Sequence, residues 1–184
     1  MTGLASKFGA LVFLVAGQDV LISLIVAAFL TILLGLGMPT PSAYILAAVL
    51  IAPVMRDLGV DLMAGHLFLL YFAVMSALTP PVAVAAYAAS AIADEAPMKI
   101  AVTAVGIAMG AFIVPFAFIY DGALILQGAW WETAMAVVLV ASGLALVTVG
   151  QEGWLTARIS WAVRAALVAG GFFLIFARPL IAAL

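Results

Sequence analysis

Two short clusters hold the residues whose types and spacing could do chemistry. The first is Gly35-Leu36-Gly37-Met38-Pro39-Thr40-Pro41, with Ser42 directly after it. The second is Thr79-Pro80-Pro81. Each sets helix-breaking residues beside hydroxyls. A proline removes one backbone donor and blocks the carbonyl one turn earlier, so both places free main-chain oxygens and amides. Carbonyl and hydroxyl oxygens there can hold a sodium ion, and amides at the start of a half-helix can hold an anion. Acid–base and nucleophilic chemistry has no comparable cluster. Asp19, Asp57, Asp61, Asp94, Glu95, Asp121, Glu132 and Glu152 fall between apolar stretches, where they are expected as solvated loop charges. His66 opens an apolar stretch and is expected at an interface. The sequence has no nucleophile–base pair, no metal-ligand spacing and no phosphate-binding glycine loop, so no catalytic residue is assigned. It has no cysteine, which excludes disulfides and thiolate metal sites.

The elements that position these clusters follow from composition. Of 184 residues, 69% are hydrophobic and 8% charged, against about 25% charged in a typical soluble domain. So apolar a chain needs lipid as its solvent, and the fold class is an all-α polytopic membrane protein. The net charge of −2 says little with so few charges, and no basic tract points to a nucleic-acid partner. No charged n-region and cleavage site mark a secretory leader. Polar clusters cut the chain into apolar stretches at residues 4–16, 20–55, 67–93, 100–120, 133–149 and 159–177. A spanning helix needs roughly 20 apolar residues. The last three suit simple spans, while 4–16 has the length of a helix end.

Two stretches are interrupted. In residues 20–55 the break divides two arms of about 15 residues, each roughly 22 Å as helix and short of a hydrocarbon core of about 30 Å. Two short arms on a tight Gly/Pro turn predict a re-entrant hairpin with its tip near mid-membrane. In residues 67–93 the Thr-Pro-Pro predicts two half-helices, the second able to begin on Pro80 and Pro81 because proline is accepted in a first helical turn. Non-helical backbone at this depth is tolerated only where it is buried in protein or lines a cavity, the pattern of many secondary transporters. The alternative is that the prolines only kink ordinary spans. Thr40, Ser42 and Thr79 are candidate sodium or substrate ligands, with local capping of half-helices as their structural alternative. Gly35, Gly37, Met38 and Pro39 would act through carbonyls and shape, and Pro80 and Pro81 would set the second break.

Residues 35–44, GLGMPTPSAY, followed by residues 66–87, HLFLLYFAVMSALTPPVAVAAY, resemble the large membrane subunit of tripartite ATP-independent periplasmic (TRAP) transporters. The likeness is greatest to the fused permeases that work with TAXI-type solute-binding proteins, and it covers residues 4–126. The resemblance implies a fold of two inverted repeats, each with a hairpin and a broken helix, working as an elevator. It implies sodium-driven uptake of organic anions, usually carboxylates, delivered by a periplasmic binding protein. It places the chain in the cytoplasmic (inner) membrane of a bacterium or archaeon. On this mapping residues 1–126 form a second-repeat transport core, and residues 127–184 are additional carboxyl-terminal helices. Only one repeat is visible, so the remaining half of the permease is an expected partner along with the bilayer. Sodium is the expected coupling ion and no organic cofactor is expected. A truncated, non-transporting remnant or scaffold subunit is the alternative.

The remaining residues read as membrane anchors. Trp130, Trp131 and Trp154 lie at segment ends, where amphipathic rings prefer the headgroup level. Tyr44, Tyr71 and Tyr87 are expected to pack or anchor, and Arg164 to snorkel one turn into the last span. Alternating spans put Lys7, Lys99, Arg158 and Arg164 on one side and Arg56 and Arg178 on the other. The basic excess makes the first side cytoplasmic, so the hairpin would enter from the periplasm. With no carboxylate in mid-membrane, sodium is favoured over a proton relay.

Overall fold

A computed structural model describes residues 7, 17, 19–154 and 157–182, with side chains described through Arg178. The apolar stretch 4–16 lies outside the described residues apart from Lys7. Among the described residues the named elements are all helices, and three stretches are long and apolar enough to cross a membrane: Pro97–Tyr120, Trp130–Glu152 and Trp161–Arg178. The fold is an all-α, multi-pass membrane protein. Its backbone divides into two compact units, Met1–Gly106 and Ile107–Leu184, which are taken in turn.

The first unit is built on a helical hairpin. Helix α1, Val20–Gly35, starts where Asp19 Oδ1 accepts from the Ile22 N–H at 2.9 Å. This exposed carboxylate is a helix cap as well as a solvated charge, satisfying one of the amides that a helix start leaves free. Helix α1 buries Ser23, Leu24, Ala27, Ala28, Thr31 and Gly35 and turns Leu21, Ile25, Phe29 and Leu33 outward. An apolar outer face suits lipid. The return arm is helix α2, Thr40–Leu50, and helix α3, Ala52–Asp57. They part at Ile51 because Pro53 cannot donate to the carbonyl four residues back. Arg56 and Asp57 thus end a helix instead of lying in a loop.

Helix α4, Leu62–Met75, is capped by Asp61, whose Oδ1 accepts from the Ala64 N–H at 3.0 Å. It packs against both hairpin arms and supplies much of the unit's core. Phe68, Leu69, Phe72 and Ala73 are buried, and the Phe68 and Phe72 rings are tilted with centroids 4.8 Å apart. Residues 76–83 then break the helical course. Helix α5, Val84–Ala93, follows, and helix α6 is Pro97–Ala108. Ala83, Ala86 and Ala101 form a small apolar cluster with Ile100.

In the second unit a 3-10 turn at Met109–Ile113 leads into helix α7, Val114–Tyr120. Pro115 accounts for the change of winding: it cannot donate to Ala111, and Val114 N–H bonds Ala111 O instead. A second 3-10 turn, Gly122–Ile125, precedes the long helices α8, Trp130–Glu152, and α9, Trp161–Ala182. These two pack closely through glycine. A Cβ on Gly143 would lie 2.7 Å from Gly171 O, and one on Gly171 would lie 2.6 Å from Gly143 O. Small residues let membrane helices approach this closely.

Charged side chains hold the ends of this pair. Arg178 Nη1 reaches Asp121 Oδ2 at 3.0 Å, Asp121 Oδ1 at 3.2 Å and Glu132 O at 3.1 Å. Asp121 is thus a paired, partly buried carboxylate, not a solvated one. Glu132 is engaged too: its Oε2 accepts from the Ala129 N–H at 3.1 Å and closes the start of α8. At the other end Arg164 Nε donates to Gly150 O at 2.9 Å, and Nη2 donates to Gln151 O. Arg164 does more than snorkel: it satisfies the terminal carbonyls of α8, where a cation is favoured.

Candidate functional site

The two clusters singled out in the sequence meet in the first unit. Gly35 ends α1, and residues 36–39 form the hairpin tip. The tip closes on itself through Leu36 N–H to Leu33 O at 3.3 Å and Met38 N–H to Gly35 O at 3.2 Å. Gly37 carries the reversal at φ +75°, a conformation that only glycine adopts without strain. Pro39 is extended and precedes the first residue of α2, Thr40, with Pro41 in the first turn.

At the second break the prolines leave a legible pattern of rescue. Pro80 and Pro81 have no N–H to give to Ser76 O and Ala77 O, their partners in a continuous helix. Ser76 O accepts instead from Thr79 N–H at 3.2 Å. Ala77 O accepts from Ala85 N–H at 3.0 Å, so the second half-helix ties back onto the end of the first. The Thr79 hydroxyl donates to Met75 O at 2.8 Å and the Ser76 hydroxyl to Ala73 O at 2.7 Å. The second half-helix begins at Val84, three residues beyond the prolines. It therefore starts beyond both prolines rather than on them. The chain leaves the turn through Ala83 in the left-handed region, φ 37°.

Tip and break touch at two points. A Cβ built on Gly35 would lie 2.7 Å from Ser76 Cβ and 3.4 Å from Ala43 Cβ, so only glycine admits the Ser76 side chain there. A Cβ on Gly37 would lie 3.5 Å from Val82 Cγ1, an ordinary contact. A third link lies farther down the hairpin, where Tyr44 Oη and His66 Nδ1 are 3.0 Å apart. This bond fastens the return arm to α4 and gives both residues a structural partner.

Of the sequence-predicted site residues, Gly35, Gly37, Met38, Pro39 and Thr40 make the tip, and Thr79, Pro80 and Pro81 make the break. Gly35 is buried, Thr40 and Thr79 are half-buried, and Ser42 is exposed in the first turn of α2. Helix α2 has no side-chain cap at Pro39. Ser76 and Val82 were not singled out in the sequence, yet they are the residues of the break that face the tip. The available signal was spacing: Ser76 and Ala77 stand four residues before the two prolines.

What the place can do follows from its donors. They are neutral oxygens, from hydroxyls and from carbonyls at helix breaks. The carbonyls of Gly35 and Ser76 each accept one bond, and a carbonyl oxygen has a second lone pair. Among the described residues no group of three or more His, Asp or Glu side chains could hold a metal ion.

The comparison with protein families bears directly on this place. The family described as "Tripartite ATP-independent periplasmic transporter, DctM component" matches residues 1–133, which include hairpin, tip and break. The chain belongs to the DctM family. This is a transporter family, so the tip and break belong to a permease fold. Neither the curated proteins nor the solved structures gave a match. The family match ends just inside α8, so the rest of α8 and all of α9 lie beyond it.

Proposed function

We propose that the chain is the second-repeat part of a sodium-coupled TRAP permease of the bacterial or archaeal cytoplasmic membrane. In this reading the permease is of the fused, TAXI-associated type. It takes up organic carboxylates delivered by a periplasmic solute-binding protein, and a first-repeat half completes the transport core. The observation that carries the proposal is the seating of a Gly/Pro hairpin tip on a Thr-Pro-Pro break within a region that belongs to the DctM family.

The donor chemistry supports sodium. Hard cations take oxygen ligands, and unwound carbonyls at broken membrane helices are the usual sodium donors in transporters. The hydroxyls of Thr40, Ser42 and Thr79 and the carbonyls of Gly35, Gly37 and Met38 are the candidate ligands. Pro39, Pro80 and Pro81 shape the two breaks. The Thr79 hydroxyl already donates to Met75 O, and its oxygen lone pairs stay available to a cation. A bound sodium would supply positive charge for the substrate carboxylate.

The test is Thr79→Val in a complete permease reconstituted with its binding protein. Removing one ligand is expected to raise the sodium concentration for half-maximal uptake by about tenfold, the lower end of what disturbing a metal site costs. Thr79→Ser should keep wild-type behaviour. Unchanged sodium dependence in Thr79→Val would remove Thr79 from the site. Uptake of a labelled carboxylate panel by this chain alone, against the chain with a first-repeat half and binding protein, tests the larger reading. Folded protein with no uptake in either mixture would favour a non-transporting subunit.

A further inference from the structure

An open groove of about 580 Å³ lies where α8 ends and α9 begins, lined mainly by Ala145, Leu146, Val149, Arg158, Val163 and Leu167. Its size is that of a ligand pocket, about 300–1,000 Å³. The walls are aliphatic except for Arg158. The groove lies within the second unit, beyond the residues that match DctM.

Its position sets the chemistry. Helices α8 and α9 are long and apolar enough to cross a membrane, which sets a groove at their joined ends near one headgroup region. Trp154, which follows α8, and Trp161, which opens α9, are close in sequence to its lining and exposed, the placement of interfacial tryptophans. The backbone of Arg158 bridges to Trp154, and Ile159 N–H donates to Gly153 O at 2.9 Å, which fixes the connector at the mouth. Three charged groups face this end. Arg164 is engaged by the carbonyls of Gly150 and Gln151. Glu152 is exposed at the last residue of α8. Arg158 is exposed and has no ion pair among the described residues. The groove is thus an aliphatic slot with an available guanidinium at headgroup height.

We infer that this groove is a binding site for an anionic phospholipid, with an acyl chain along Leu146, Val149, Val163 and Leu167 and the phosphate on Arg158. A zwitterionic lipid fills the same slot, but its choline or ethanolamine group cancels the attraction that Arg158 offers. A guanidinium also matches phosphate oxygens in a two-pronged geometry that an ammonium lacks. One basic side chain at an anionic surface favours the acidic lipid roughly fivefold.

The experiment uses the full chain in nanodiscs with Trp130 and Trp131 replaced by phenylalanine. Fluorescence then comes from Trp154 and Trp161, at the joined ends of α8 and α9. Lipid with brominated acyl chains is added as a minority component, either phosphatidylglycerol or phosphatidylcholine. Brominated phosphatidylglycerol is expected to quench at roughly one-fifth the mole fraction that phosphatidylcholine needs. Arg158→Gln should bring the two curves together, and Arg158→Lys should keep part of the gap. Soluble glycerophosphoglycerol should not relieve quenching, because without acyl chains it has no hold on the slot. Equal quenching by the two lipids in the wild type overturns the proposal. So does an undiminished gap in Arg158→Gln, relief by the soluble headgroup, or the absence of quenching by either lipid, which would mean that protein covers the groove. The wild-type comparison decides the matter even if Arg158→Gln fails to fold.

Discussion

The two units of the chain solve the same problem, polar backbone inside a membrane protein, by different means. In the hairpin unit the helices are short, and their ends are satisfied locally. Hydroxyls of Ser76 and Thr79 bond back within their own turn, and Ala77 O is met by Ala85 N–H across the break. Tip and break are held by steric fit, Gly35 on Ser76 and Gly37 on Val82. In the carboxyl-terminal unit the helices are long, and charged side chains clamp their ends: Arg178 on Asp121 and Glu132, Arg164 on the end of α8. A contact of shape has no long-range attraction and separates once a small shift is made. A charge-assisted contact in low dielectric resists separation. The difference leaves tip and break joined by fit and the ends of α8 and α9 clamped by charge.

The clamp should be the costliest place to cut. Arg178 and Asp121 side chains are 24% and 15% exposed, so removing the guanidinium strands a carboxylate in a largely dry site. Breaking a buried pair from one side costs about 3–5 kcal/mol. Arg178→Ala is expected near the lower end, about 3 kcal/mol, because some solvent reaches both groups. Thermal unfolding of the purified chain in detergent measures it. Asp121→Asn in the Arg178→Ala background should recover part of the loss, since it removes the stranded charge. A loss under half a kilocalorie, of the order of an exposed pair, would erase the contrast between the units.

Next in size is the steric contact at the tip. Gly35→Ala drives a methyl into Ser76, and overpacking of this kind costs about 1–3 kcal/mol. Ser76→Gly should restore most of it, because the obstructing atoms are the Ser76 side chain alone. Gly37→Ala meets only Val82 at 3.5 Å, so its cost is the left-handed backbone, about 1–2 kcal/mol, and Ser76→Gly should not help it. Equal rescue of both variants would show that tip and break do not interlock through Ser76.

Much of the fold was legible because hydrocarbon makes strict demands. Apolar length gave the three spans, and the Gly/Pro clusters gave the hairpin and the break. Those signals are local: which residues can donate, and how far a helix of given length reaches. Less legible was what each charge does. Asp19 and Asp61 look like loop acids, but they cap α1 and α4, a role that depends only on where the helix starts. Asp121 meets Arg178 from 57 residues away, and no local pattern announces such a pair. The prolines marked the break but not its end. The start of α5 at Val84 depends on Ala83 taking a left-handed turn, which alanine does not advertise. At the candidate site the sequence named the tip but not its seat, since Ser76 acquires its role only when α4 packs beside α1.

The smallest expected effect comes with opposite signs at two hydroxyls on α1. Thr31 Oγ1 donates to Ala27 O at 2.7 Å and is fully buried. Ser23 Oγ is also buried but has no hydrogen-bond partner among the described residues. A made hydrogen bond contributes about 0.5–1.5 kcal/mol, while an unmade one leaves the desolvation of its group uncompensated, about 1–3 kcal/mol. Thr31→Val should therefore lower the thermal midpoint slightly, and Ser23→Ala should raise it or leave it level. If Ser23→Ala instead destabilises as much as Thr31→Val, the Ser23 hydroxyl has found a partner. The buried face of α1 would then meet a polar group in the working protein, and the hairpin would have a polar contact as well as a contact of shape.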